Sequence, residues 1–305
     1  MKILVATVKP FAPKAIQLMR EAALEAGHQF EVFEKYDGQQ ALIDAVKDAD
    51  ALIVRSDKVT KEVLDNAQNL KIVVRAGAGY DNIDLQAATA NKVVAMNTPG
   101  QNSNAVAELV LGMMVLMARN KFNGTAGTEL KGKLLGIHAY GNVGKNVARI
   151  AKGFDMRVMA HDPYVSSEIV ERDGITDVEE VEDLYKQAQY ISLHIPANKH
   201  TIKSINYDLL KNMPENAVLI NTARKEVIDE DGLFRLMQER PDFKYISDIA
   251  PDNKDVLEQN FPDRVFFTPK KMGAQTAEAN INAGVAAVNQ IIKYFANGDI
   301  TFKLN

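Results

Sequence analysis

Cysteine is absent from the 305 residues of the sequence. Its absence excludes disulfide bonds, cysteine-bound metal centres and thiol nucleophiles, and it agrees with a reducing compartment. Long hydrophobic runs are missing too. The apolar run at the amino terminus is too short for a signal peptide, and the most apolar stretch, residues 105–118, contains Glu108 and is too short to cross a bilayer. We therefore expect a cytoplasmic protein.

Neither sign of charge is in large excess, because the formal net charge is −4. This balance gives no indication of a nucleic acid or an anionic membrane surface as partner. An anionic substrate would have to be held by a local group of basic residues.

Short apolar runs alternate with helical patterns along almost the whole sequence. With 46% hydrophobic and 25% charged residues, this alternation predicts a globular α/β protein with parallel sheets, and the length leaves room for two domains. Residues 105–118 are apolar on all sides, which predicts a helix buried between two layers or two subunits. Glu108 would then be a buried, paired acid or would face a cleft, and both alternatives stay open.

The most informative stretch is LLGIHAYGNVGKNVARIA, residues 134–151. It predicts a strand, a turn of small residues over 139–144 and a helix from Lys145. Such a turn leaves backbone N–H groups and the positive end of the helix dipole available for a pyrophosphate. Gly141 would let the backbone approach this anion, and Gly144 would let the helix pack closely against the strand.

The residues around this turn indicate which dinucleotide it would bind. Ala139 stands where the usual G-x-G-x-x-G motif has its first glycine, so the motif taken alone is weak. The next predicted strand, Arg157–His161, ends at Asp162, where an acid can accept hydrogen bonds from ribose hydroxyls and repel a 2′-phosphate. An ordinary strand–turn–helix with a surface aspartate is the alternative. Turn, helix and acid together favour NAD rather than NADP.

Residues that follow the predicted strands are further candidates, because ligands of parallel sheets bind at the carboxyl ends of the strands. Arg55, Ser56 and Lys58 combine two cations with a hydroxyl, which suits a phosphate or carboxylate, although a solvated loop is the simpler interpretation. Arg224 could polarise a carbonyl and hold a neighbouring carboxylate. Asp248 could accept a hydrogen bond from a carboxamide.

Several stretches resemble the D-2-hydroxyacid dehydrogenase family: VVRAGAGYDNIDLQAATANKVVAMNTPGQNSNAVAELVLGMM, SLHIPANKHT, LINTARKEVIDEDGL and FTPKKMGAQTAEA. The resemblance implies an α/β fold of two doubly wound parallel-sheet domains. These are a flavodoxin-like substrate (catalytic) domain, residues 1–98 plus 274–305, and a Rossmann NAD-binding domain, residues 99–273. It further implies NAD as cofactor, a small phosphorylated 2-hydroxy acid as substrate, a homodimer, and no metal.

The resemblance also implies roles for individual residues. The family uses an arginine, an acid and a histidine in catalysis, and Arg224 matches the arginine. The residues on cofactor-binding positions are Ala78, Tyr140, Gly141, Asn142, Val143, Gly144, Asp162, His194, Ile195, Thr222, Ala223 and Asp248. The residues on substrate-binding positions are Arg55, Ser56, Lys58, Arg75, Gly77 and Asn102.

Two positions depart from the family pattern. Lys271 stands where the family has its histidine, and Asp252 is the only acid near the position of the family's catalytic glutamate. Because an ammonium has no tautomer to fix, a lysine needs a carboxylate partner less than a histidine does. We expect Lys271 to act as the base, with a pKa lowered by Lys270, Arg224 and partial burial.

Three interpretations of the function remain. The favoured one is NAD-dependent oxidation of a phosphorylated D-2-hydroxy acid. The second is another enzyme of the family, acting on an unphosphorylated acid, for which Arg55 and Lys58 would have no use. The third is a non-catalytic, NAD-sensing binding protein, which the missing histidine would support.

Overall fold

A computed structural model describes all 305 residues, with twelve β-strands. In chain order they are β1 (Lys2–Thr7), β2 (Gln29–Glu34), β3 (Ala51–Val54), β4 (Ile72–Arg75), β5 (Val94–Asn97), β6 (Leu134–His138), β7 (Arg157–His161), β8 (Thr176–Asp177), β9 (Tyr190–Leu193), β10 (Val218–Asn221), β11 (Lys244–Ser247) and β12 (Val265–Phe267). All pair in parallel, as the alternating pattern predicts.

Twelve α-helices connect or follow these strands. They are α1 (Pro13–Glu25), α2 (Gly38–Val46), α3 (Lys61–Asn66), α4 (Leu85–Ala90), α5 (Ser103–Ala118), α6 (Asn142–Gly153), α7 (Ser167–Arg172), α8 (Val181–Gln187), α9 (Tyr207–Leu210), α10 (Glu230–Glu239), α11 (Lys254–Asn260) and α12 (Ala277–Asn297). None combines the length and apolarity that a membrane-spanning helix requires.

The predicted strands and helices are largely confirmed, and the differences lie in short elements and at boundaries. The sequence pattern does not predict β8, α7 or α11, because each is short and has at most one buried residue, so no apolar run or period marks it. The helix after the nucleotide turn begins at Asn142 rather than at the predicted Lys145. The sequence pattern also predicts a helix over Asp177–Gln187, whereas Asp177 belongs to β8 and α8 begins at Val181.

The chain divides into two compact units, and unit 1 consists of residues 1–102 and 275–305. Its strands have the flavodoxin-like order β2-β1-β3-β4-β5. Successive residues of β1 enter two different apolar clusters, Ile3 on one face of the sheet and Leu4 on the other. This burial on both faces is the expected consequence of helices covering a parallel sheet from both sides.

Unit 2 consists of residues 103–274 and has a seven-stranded sheet. Its strand order, β12-β11-β10-β9-β6-β7-β8, is the 3-2-1-4-5-6 order of a dinucleotide-binding fold extended by one strand. The chain order reverses between β9 and β6, which makes this pair the switch point where such folds bind their ligand. The two observed boundaries, 102/103 and 274/275, lie close to the expected 98/99 and 273/274.

The apolar helix α5 is buried along one face, which lies in a core cluster of unit 2 that also contains residues of α6. Glu108 is exposed on the other face and accepts a hydrogen bond of 2.6 Å from the Asn104 amide. The structure therefore excludes the alternative in which Glu108 is a buried, paired acid.

Ala139, the residue in place of the first motif glycine, adopts a φ of +81°. This left-handed conformation costs an L-residue about 1–2 kcal/mol, and only part of it is offset by the greater entropy that glycine has in the unfolded chain. The sequence departs from the motif here, whereas the backbone keeps the conformation that favours glycine.

We expect Ala139→Gly to raise the free energy of unfolding by about 0.5–1 kcal/mol, since glycine adopts this φ without strain. Urea unfolding at neutral pH measures the change. Ala22→Gly in the middle of α1 is the matched control and should instead lose about 1 kcal/mol. A less stable Ala139→Gly variant would show that the alanine is not strained.

Candidate active site

The predicted cofactor-binding and catalytic residues of unit 2 lie along one edge of its sheet, at the carboxyl ends of adjacent strands. In spatial order they are Lys271 after β12, Asp248 after β11, Thr222, Ala223 and Arg224 after β10, His194 and Ile195 after β9, the turn 139–144 after β6, and Asp162 after β7. Strands spaced by about 4.8 Å extend this row over roughly 24 Å. The row has the arrangement that an extended dinucleotide needs.

The turn between β6 and α6 has the geometry of an anion site. Gly141 is the N-cap residue of α6. Glycine has no side chain that could cap the helix, so the N–H groups of the first helical turn remain available. A Cβ at Gly141 would meet no atom within 4 Å, which leaves the approach to these groups open. At Gly144 a Cβ would collide with the Ala139 carbonyl and lie 3.0 Å from Ile137 Cγ2, which confirms the close helix–strand packing predicted there.

Asp162 is fixed at the edge of this turn by two backbone donors. Its Oδ2 accepts from the Tyr140 N–H at 2.8 Å and its Oδ1 from the Tyr164 N–H at 2.9 Å. Each oxygen retains a lone pair, so the carboxylate could still accept from ribose hydroxyls while its charge disfavours a 2′-phosphate. The Tyr140 side chain is buried and bonds to Asp173, so only its backbone could face a cofactor.

Three histidines occupy neighbouring positions at the same edge. The His138 and His161 rings meet edge to face at 5.8 Å, and the His194 N–H donates to the His138 carbonyl at 2.9 Å. Burial, reinforced by a neighbouring imidazole, lowers the pKa of both His138 and His194 to about 3. Both rings are therefore neutral at physiological pH, and His194 bonds to Ser192 rather than to a catalytic partner.

The segment after β10 is organised by Asn221, a fully buried residue to which the sequence analysis gives no role. Its Oδ1 accepts from the Ala223 N–H and its Nδ2 donates to the Arg224 carbonyl, both at 2.9 Å. Asn221 thus fixes the backbone that carries Arg224, and a polar residue at the end of a buried strand was its only signal. Thr222 Oγ1 is buried without a partner, as expected for a hydroxyl that a bound cofactor would satisfy.

The structure gives Lys271 and Asp252 surroundings that differ in part from the expectation. Lys271 lies on an exposed loop after β12, so the expected partial burial of its side chain is wrong. Asp252 is exposed and forms an ion pair with Lys225. Its backbone N–H donates to Glu230 Oε1 at 2.9 Å.

Asp248 is nearly inaccessible, with 1% of its surface exposed. Its carboxylate accepts from the Met272 N–H at 2.7 Å and from the Gly273 N–H at 2.8 Å, and Thr268 Oγ1 lies 2.9 Å from Oδ1. Two of its roughly four acceptor sites are therefore taken by backbone N–H groups of the loop that carries Lys271. Oδ2 keeps a lone pair, so the predicted contact with a carboxamide stays a prediction.

The predicted substrate residues of unit 1 lie at the carboxyl ends of adjacent strands. Arg55, Ser56 and Lys58 follow β3, Arg75 and Gly77 lie at the end of β4, and Asn102 follows β5. The Arg75 Nε–H donates to the Arg55 carbonyl at 2.9 Å. Ala78, predicted to contact the cofactor, also lies in unit 1, where its carbonyl accepts from Asn97 at 2.6 Å.

The Arg55 guanidinium is held by uncharged groups. It donates to the Lys9 carbonyl at 3.0 Å, to the Pro10 carbonyl at 2.6 Å and to Asn280 Oδ1, and it stacks on Phe11 with 5.0 Å to the ring centroid. These bonds use three of five N–H donors, and the charge has no carboxylate partner within ion-pair distance. Asn280 lies 225 residues away in α12, so no local signal could have revealed it.

Together, the two doubly wound sheets and the row of candidate residues define a dinucleotide-binding α/β protein of the dehydrogenase type. Residues 101–269 match the family described as D-isomer specific 2-hydroxyacid dehydrogenase, NAD binding domain. The chain belongs to this family, and its unit 2 carries the family's NAD-binding domain.

Individual relatives refine this likeness. A structure of NAD⁺-bound 3-phosphoglycerate dehydrogenase from Entamoeba histolytica is 48% identical, with a TM-score of 0.89 over 100% of this chain and 98% of that one. D-3-Phosphoglycerate dehydrogenase of Methanocaldococcus jannaschii is 36% identical over 84% of this chain and 51% of its own length. Hydroxypyruvate reductase of Thermotoga maritima is 32% identical over 93% of this chain and 95% of its own length. The chain spans about half the length of the curated phosphoglycerate dehydrogenases it matches.

Proposed function

We propose that the protein oxidises D-3-phosphoglycerate to 3-phosphohydroxypyruvate with NAD as hydride acceptor, the reaction that begins serine biosynthesis. One observation carries the choice of substrate: the cations Arg55, Lys58 and Arg75 share one sheet edge, and the Arg55 guanidinium bonds only to uncharged oxygens. A guanidinium outside any ion pair and with two N–H donors left suits a phosphate. An unphosphorylated acid has no group for it.

The proposed chemistry divides between the side chains of unit 2. Bound NAD would take the hydride from C2. Arg224 would hold the C1 carboxylate and stabilise the carbonyl that develops at C2, while the Lys271 amine would remove the hydroxyl proton. The C2–H and O–H bonds are broken and the C2=O bond is completed. Asp252 is proposed only as a secondary acid of this set, since its carboxylate already pairs with Lys225.

The residues present fit the cofactor. The open N-terminus of α6 would receive the pyrophosphate, Asp162 the ribose, and the unpartnered Thr222 hydroxyl a polar group nearer the nicotinamide. His194 and Ile195 would form part of the wall beside the adenosine half. We propose, on the family resemblance, that the enzyme is a cytoplasmic homodimer.

The test is NADH oxidation with 3-phosphohydroxypyruvate, hydroxypyruvate and glyoxylate in parallel. We expect kcat/KM for the phosphorylated substrate to exceed the others by at least ~100-fold, because a substrate without the phosphate leaves the remaining Arg55 donors unused. Arg55→Gln should reduce this ratio by about tenfold. The matched control is Arg20→Gln, since Arg20 also stacks on a phenylalanine and donates to a backbone carbonyl.

Each other outcome points to one of the remaining interpretations. Equal or better use of hydroxypyruvate or glyoxylate would favour a reductase like the T. maritima relative, which matches almost the whole chain. NADH binding without turnover of any of the three acids would favour a non-catalytic, NAD-sensing protein.

A further inference from the structure

Asp248 is a buried carboxylate whose hydrogen bonds join it to the loop that carries Lys271. Its two oxygens accept the consecutive N–H groups of Met272 and Gly273, the two residues directly after Lys271. We infer that Asp248 is a positioning residue that holds the loop of the proposed base Lys271 in place. The role of Lys271 as base rests on the proposed function, whereas the contacts between Asp248 and the loop do not depend on it.

The loop is also fixed on the side that precedes Lys271. The Thr268 hydroxyl has three acceptors at 2.9 Å, the Asp248 carbonyl, Asp248 Oδ1 and the Lys270 carbonyl, and donates its single proton to one of them at a time. Two of the three acceptors belong to Asp248, so residues on either side of Lys271 contact Asp248. The segment 268–273 folds around this carboxylate.

Gly273, at the end of the loop 268–273, has little free space around its backbone. A Cβ built on Gly273 would lie 3.0 Å from Asp248 Oδ2 and 3.2 Å from Val106 Cγ2 of α5. The backbone of Gly273 is thus held between a charged acceptor and an apolar wall. Any side chain at this position has to move one of the two, and with it the backbone two residues after Lys271.

The arrangement is costly to disturb, for two physical reasons. Hydrogen bonds from backbone N–H groups to an ionised carboxylate are stronger than neutral ones, and an N–H group left buried without an acceptor pays its full desolvation penalty. A catalytic group displaced by about 1 Å can cost on the order of 10²-fold in rate. A residue that never touches the substrate can therefore control turnover through the position of Lys271.

Asp248→Asn tests the inference, since asparagine keeps the shape but can accept only through one oxygen. We expect kcat to fall by about 10- to 100-fold, while the Kd for NAD, measured by fluorescence titration, changes by less than about threefold. Asp242→Asn is the control, because Asp242 also accepts a backbone N–H group, that of Asn216 at 2.7 Å, and lies before β11, outside the proposed site. It should leave both kcat and the Kd for NAD nearly unchanged.

A second variant tests the same contacts between Asp248 and its loop without altering charge. Gly273→Ala should lower kcat to a similar extent, and adding Val106→Ala should restore at least part of the loss by making room for the new methyl group. An Asp248→Asn variant with a Kd for NAD raised tenfold and an unchanged kcat would overturn the inference and assign the carboxylate to the cofactor.

Amide hydrogen exchange separates this inference from the proposed function. In Asp248→Asn the N–H groups of Met272 and Gly273 should exchange at least tenfold faster, whether or not the enzyme turns over. Unchanged exchange would overturn the positioning role. Retained turnover in a Lys271→Ala variant would instead contradict the role of Lys271 as the base. The exchange result would still show whether Asp248 holds the loop in place.

Discussion

Replacement of Lys271 by alanine should lower kcat for oxidation of 3-phosphoglycerate by about 10³-fold, within the range that general base catalysis contributes. Binding of NAD should change little, because the nucleotide turn and Asp162 lie at the other end of the row of strands. Stopped-flow or steady-state assays with saturating NAD measure the loss, and fluorescence titration measures the Kd. Lys270→Ala, which removes the neighbouring amine, is the matched control.

The pH dependence of the same reaction gives a second signature of a lysine base. Only the neutral amine can accept the hydroxyl proton, and a free lysine loses its proton near pH ~10.4. The rate of oxidation should therefore climb through the alkaline range. Lys271→His should retain some activity, and the pH at which its rate is half-maximal should fall towards about 6.5, the ordinary pKa of histidine. Full turnover in Lys271→Ala, or a rate that is flat above neutrality, would remove Lys271 from the mechanism.

Acidification should destabilise unit 2 through its buried histidines. The pKa of His138 and of His194 is about 3 in the folded protein, and an unfolded histidine titrates near pH ~6.5. Between these limits the unfolded chain binds protons that the folded chain does not, so stability falls as pH falls from about 6.5 towards 3. At pH 5 each imidazole costs up to ~2 kcal/mol. Above about pH 6.5 the two groups have no such effect.

Chemical unfolding at several pH values between 7.5 and 5 checks this expectation. The double variant His138→Gln, His194→Gln should show a clearly flatter decline than the parent. His200→Gln is the control, because His200 is exposed and its removal should leave the slope unchanged. Equal slopes in the parent and the double variant would show that other groups cause the acid sensitivity.

The sequence predicts most of the fold because buried parallel strands read as apolar runs with clear ends. The order of strands at the edge of each sheet then follows from topology, which is why residues as distant as Arg55 and Arg75, or Asp162 and Asp248, could be assigned to sheet edges in advance. Short elements without an apolar run are not predicted in this way, since β8 has no buried residue and α7 and α11 have one each.

What the sequence does not predict is how polar side chains share their hydrogen bonds. Asn221 and Asn280 look unremarkable in the chain, yet one organises the backbone around Arg224 and the other holds the Arg55 guanidinium. The place of Asp248 at a strand end predicts a ligand for its carboxylate. Only the structure shows that two backbone N–H groups of the Lys271 loop also donate to it.

The split of unit 1 between the two ends of the chain has a consequence for biosynthesis. Ala287, Val288 and Ile291 of α12 complete an apolar cluster with residues of the first strands, and Asn280 completes the bonding of Arg55. A ribosome releases these residues only after unit 2 has been made. Part of the sheet in the nascent amino-terminal segment therefore stays uncovered until α12 has been synthesised. During this interval the exposed apolar surface makes the segment prone to aggregation.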